Sequence, residues 1–131
     1  TLSVNITVDI SPGELIDKIT ILEIKLERIE DKAKRANVRI EYDTLTKARD
    51  NAISPSNELA VLTGKLKGVN KTLWKIEDDI RDQERAKTFG DTFVKLARAV
   101  YVTNDRRMEV KREINEFLGS RLVEEKSYAA Y

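Results

Sequence analysis

The chain of 131 residues contains no cysteine and no histidine. Disulfides, thiolate or imidazole metal sites, cysteine nucleophiles and histidine acid–base catalysis are thereby excluded. Any chemistry would run on Asp, Glu, Lys, Arg, Tyr, Ser or Thr. Aromatic residues make up only 6%, with a single Trp, and two prolines and five glycines leave loop punctuation sparse. No apolar run approaches the ~18 residues of a membrane-spanning helix. The first residues lack the basic-then-apolar layout of a signal peptide, so the expectation is a cytoplasmic protein. Neither sign of charge dominates: 24 Lys plus Arg stand against 23 Asp plus Glu. Without a segregated basic face, neither nucleic acid nor a membrane surface is an expected partner.

What is present is charge in quantity. Charged residues form 36% of the chain, above the roughly 25% of ordinary globular proteins. Abundant balanced charge points to long helices with much solvated surface, and the length fits a single domain over 1–131. From Val4 to Ile10 apolar and polar residues alternate strictly, the period of a half-buried β-strand, which needs a partner in the tail or in a second copy.

A helix start follows in SPGELIDKITILEIKLERI. Ser11 is its N-cap, Pro12 fits the first turn, and Glu14 completes a capping box. Leu15, Ile19, Leu22, Leu26, Ile29, Ala33 and Ala36 continue at alternating spacings of 4 and 3, a coiled-coil stripe that predicts one helix over about 12–50. Ile21 and Ile24 fall off that stripe and need a second cover. NAISPSN, 51–57, is the clearest loop. Leu59, Leu62, Leu66, Val69, Leu73, Ile76 and Ile80 predict a second helix over 57–87. Phe93, Leu96, Val100, Val110, Ile114 and Phe117 predict a third over 91–118, with Thr103 and Arg107 interrupting its stripe. A tail, 119–131, carries two tyrosines suited to docking. The expected fold is mainly α: an elongated antiparallel three-helix bundle with a short N-terminal β-strand.

If the second and third helices fold back near Lys87–Gly90, Trp74 comes near Asn104, Glu77 near Tyr101 and Asn70 near Met108. The candidate binding residues are therefore Asn70, Trp74, Glu77, Tyr101, Asn104, Arg107 and Lys111, an aromatic wall with a few polar groups. The blander alternative has the same residues bonding to one another, with Arg107 paired to an acid of the first helix such as Glu30. The run IEDDIRDQE lacks the paired inward acids of a helical magnesium site, so neither metal nor cofactor is expected. A bundle site of the chorismate-mutase kind could draw cations from Arg98, Arg107 and Lys111, but Lys18, Lys25 and Lys32 line an edge instead of converging.

Four strings, SPGELIDKITILEIKLERI, VNKTLWKIEDDIR, FGDTFVKLARAVYVTNDRR and EEKSY, resemble a family of short uncharacterised proteins of bacteria and their phages, classed as a domain of unknown function. The resemblance implies no activity, cofactor or catalytic residue. The expectation is a protein–protein interaction or assembly module and not an enzyme, forming a homodimer and binding a further protein. The alternative is a small-ligand binder or enzyme acting on an anionic metabolite through the polar cluster between the second and third helices.

Overall fold

The computed structural model describes residues 3–125 and 127–131; Thr1, Leu2 and Lys126 lie outside the described residues. Four helices follow in order: α1 (Pro12–Arg28), α2 (Lys32–Ala52), α3 (Asn57–Ala86) and α4 (Asp91–Phe117). The fold is a bundle of four helices, which corrects the expected three helices and a strand.

The first correction is the break at residues 29–31. Ile29 turns to extended backbone, and Asp31 caps a new helix by accepting the Lys34 N–H at 2.9 Å. The Arg35 guanidinium donates to the carbonyls of Ile29, at 3.0 Å, and Leu26, so the end of α1 keeps its acceptors satisfied. With a connection of only three residues, α2 folds back against α1. Ala52 and Ile53 thus return beside Pro12 and Leu15.

The second correction is the strand. Residues 4–10 form no regular element, and among the described residues no strand exists. Val4, Ile6 and Val8 are mostly exposed. Alternation sets a period, but a strand also needs an edge to bond to, and a helical body offers none.

α1 is the hub: it touches α2, α3 and α4, whereas α2 packs on α1 alone. That explains its isoleucines. Leu15, Ile16, Ile19, Leu22 and Ile24 are all buried, although only some lie on the heptad stripe. Ile24 is buried and Ile21 half-buried beside Leu73 and Trp74 of α3, so the chain itself covers the first and part of the second. The core proper joins Ile16 to Leu59 and Leu66 of α3 and to Val110 and Ile114 of α4, with Ile53, Leu62 and Leu118 around it. The register between α3 and α4 is marked by the Lys65–Glu113 ion pair at 3.0 Å.

At 30 residues α3 extends to ~45 Å, against ~26 Å for the 17 residues of α1. Beyond the reach of α1 the two longest helices continue as a pair. Of the described residues, none between Ile76 and Val110 is buried. The turn at its tip is closed by Lys87 in the left-handed region, φ 57°, with Thr88 N–H bonded to the Gln83 carbonyl at 2.9 Å. No helix among the described residues is long and apolar enough to cross a membrane.

Candidate functional site

A polar stripe runs down α1 beside its apolar one. Gly13, Asp17 and Thr20 stand at i, i+4 and i+7, so they share one face. All three are buried, and Asp17 and Thr20 are 0% exposed. Such a face cannot be left dry without partners, and α3 and α4 supply them.

Asp17 is the centre. Arg107 of α4 grips it with two N–H groups, Nε to Oδ1 at 2.9 Å and Nη2 to Oδ2. Asn70 of α3 donates its amide to Asp17 Oδ1 and to Thr20 Oγ1, each at 2.9 Å, while the Thr20 hydroxyl donates to the Asp17 carbonyl at 2.8 Å. Hydrogen bonding to Asp17 raises the Arg107 pKa above its ordinary value, against the opposing effect of burial. One carboxylate thus ties three helices together through side chains that satisfy each other.

Two turns toward the end of α4 a second contact forms. Gly13 donates its backbone N–H to Asn115 Oδ1 at 2.7 Å, and Lys111 binds Glu14 at 2.6 Å. Glu14 was expected to reach back to the Ser11 amide, but its carboxylate is taken by Lys111 and Lys18. Ser11 still caps α1 by accepting the Glu14 N–H at 3.1 Å. Burial pushes the Glu14 pKa up, but the hydrogen bond and charge of Lys111, with Lys18, outweigh it and hold the group below its ordinary value.

The candidate residues divide between two clefts. Asn70, Trp74, Glu77, Asn104 and Arg107 line one of about 370 Å³, together with Ile21 and Ile24. Tyr101 and Lys111 lie on the other flank of α4, in a cleft of about 760 Å³ that Asn104 and Arg107 also line. Trp74 and Asn104 line the same cleft, as expected from the fold-back of the helices. Glu77 and Tyr101 do not share a cleft: Glu77 pairs with Arg81 at 2.9 Å, and Tyr101 accepts from Arg98 Nε at 3.4 Å. Arg107 does pair with an acid of the first helix, but that acid is Asp17, not Glu30. Asp17, Thr20, Gly13 and Asn115 are the site residues sequence reasoning missed. The available signal was the i, i+4, i+7 spacing of the first two with Gly13.

Of the cleft charges, Arg107 is paired with Asp17, Lys111 with Glu14 and Glu77 with Arg81. Among the described residues no three acidic groups converge in a way that could hold a metal ion. The C-terminal tail folds over the larger cleft, which Tyr128, Ala129, Ala130 and Tyr131 wall from outside.

No curated protein and no solved structure matches the chain. A family model described as a family of unknown function, DUF6165, matches residues 6–131, nearly the whole length. That match covers all four helices and the polar network that joins α1 to α3 and α4, and the chain accordingly belongs to the DUF6165 family.

Proposed function

We propose that this helical protein is an assembly module that self-associates through the far half of the α3–α4 pair. The observation that carries this is the run from Ile76 to Val110 without a buried residue. Two helices alone leave both sides of their seam open to water, and a second pair stacked on the first closes one side as a four-helix bundle. Val94 and Val102, 52% and 43% exposed, flank a shallow groove on α4 with Ala99 between them.

Charge favours a second copy as the occupant. Residues 77–84 of α3 hold five acids, Glu77, Asp78, Asp79, Asp82 and Glu84; four of them pair with Arg81, Lys75, Arg85 and Lys87 in exposed contacts within three or four residues, of the weak surface kind that can exchange partners. Lys95 and Arg98 of α4 are basic and border the groove. A two-fold that lays α3 of one copy against α4 of the other brings opposite charges together. An enzyme acting on an anionic metabolite at the α3–α4 cluster draws no support from this geometry, because Arg107 and Lys111 are already paired with carboxylates.

Light scattering at micromolar concentration is expected to give twice the 15.0 kDa chain mass. A double variant, Val94→Asp with Val102→Asp, is expected to return the single-chain mass with unchanged helical circular dichroism. A wild-type particle of 15.0 kDa would sink the proposal.

A further inference from the structure

Along the flank of α4 that carries Tyr101 and Lys111, the tail is held by separated contacts, after Arg121 pairs with Asp9 of the N-terminal segment at 3.1 Å. Glu124 accepts from the Ser11 hydroxyl at 3.4 Å and meets Lys111 Nζ at 3.5 Å. Glu125 meets Arg112 at 3.5 Å. Tyr131 sets its ring edge-on against Tyr101, centroids 5.3 Å apart, and donates its hydroxyl to Asp105 at 2.5 Å. These ion pairs are longer than the ~2.7–2.9 Å of strong charge-assisted bonds. Tyr128 and Tyr131 also remain 83% and 79% exposed. Apart from the short Tyr131–Asp105 bond the tail is thus held by long, exposed contacts, and the cleft of about 760 Å³ beneath it stays open.

We propose that this flank of α4 docks peptide segments in which an acidic pair precedes an aromatic residue, and that the tail is its resident, displaceable occupant. In the tail, Glu124 and Glu125 precede Tyr131 by seven and six residues. The dimensions agree. Tyr101 and Lys111 are ten residues apart on α4, ~15 Å along the axis. An extended segment of six or seven residues reaches at most ~20–25 Å. Cations at one end, Lys111 and Arg112, select acids; the Tyr101 shelf at the other, with Val100 and Met108 in the cleft wall, selects a ring. This site adjoins the proposed self-association face, since Tyr101 accepts from Arg98 of the Val94–Val102 groove, but peptide binding and particle mass are read separately.

A tethered tail competes at an effective concentration on the order of millimolar, so loosening it raises the apparent affinity for a segment in trans. The test uses a fluorescein-labelled peptide of residues 120–131 added to the full chain, read by fluorescence anisotropy. The full chain carrying Glu124→Gln and Tyr131→Ala is expected to bind it at least several-fold more tightly than wild type. Adding Tyr101→Ala or Arg112→Glu, both at exposed positions, is expected to remove that binding, and a peptide with lysines in place of both glutamates is expected not to bind. Absence of binding to the loosened chain, equal affinity for loosened and wild-type chains, or binding indifferent to Tyr101→Ala and Arg112→Glu would each overturn the proposal.

Discussion

At Gly13 the backbone of α1 lies tight against α4. A Cβ placed there would lie 2.4 Å from the Lys111 carbonyl oxygen and 2.8 Å from Asn115 Oδ1. Neither atom can swing aside, since one is helix backbone and the other holds the Gly13 N–H. Gly13→Ala must push α1 off α4, at a cost of ~1–3 kcal/mol typical of overpacking. Urea denaturation is expected to show a lowered midpoint; an unchanged one would refute the contact. Next to it, Glu14 gives a pH signature. Its folded pKa lies below the ordinary 4.5, mainly because Lys111 and Lys18 overcome the effect of burial. A depressed carboxylate contributes stability above its unfolded pKa, and that contribution is lost as pH falls through the folded value. Glu14→Gln is thus expected to be less stable than wild type at neutral pH, with the difference closing in acid. A difference constant from neutral pH to below the folded pKa would exclude the Lys111 pairing as its source.

Among the elements, α2 is the least anchored. None of its described residues is buried, and it packs on α1 alone through a half-buried stripe of Arg35, Val38, Tyr42, Leu45 and Arg49. Local opening follows burial, so α2 amides are expected to exchange with solvent before those of α1, α3 and the near part of α4. Asp31→Ala removes the α2 cap, worth ~1 kcal/mol, and should lower protection in α2 while leaving the α1 amides near Ile16 protected. Equal loss in both helices would mean that they open as one unit. The same region shows where the sequence was hard to read. Ala33 and Ala36 continue the spacing of the α1 stripe, and neither Gly nor Pro marks the break, so a heptad count passes straight through residues 29–31. What ends α1 is a cap at Asp31 and the reach of Arg35 to two carbonyls, and only the second helix folding back reveals them. The start of α1 was legible because Ser11 and Pro12 act locally. The alternation of residues 4–10 was equally plain, yet it carries no information about a partner strand.

At the scale of the whole molecule, the fold-back of α3 on α4 was readable from the positions of their turn and stripes, and with it the placing of Trp74 and Asn104 in one cleft. The buried half of the site was not, because Asp17 finds Arg107 only through the crossing of α1 over both helices. That crossing makes the pair a test of how the bundle is joined. Asp17 is fully buried, whereas the Arg107 side chain keeps 29% of its exposure. Removing one member of a buried pair typically costs ~3–5 kcal/mol. Arg107 can still reach water, so Asp17→Leu is expected near the lower end of that range. Arg107→Leu leaves a buried carboxylate held by Asn70 alone, and is expected to cost at least as much. The double variant removes both charges together with their desolvation penalty, so its loss should fall well short of the sum of the single losses. A double-mutant cycle from urea denaturation measures that shortfall directly. Losses that simply add would mean that Asp17 and Arg107 stabilise the bundle separately, and that Asn70 suffices to seat the Asp17 carboxylate between the three helices.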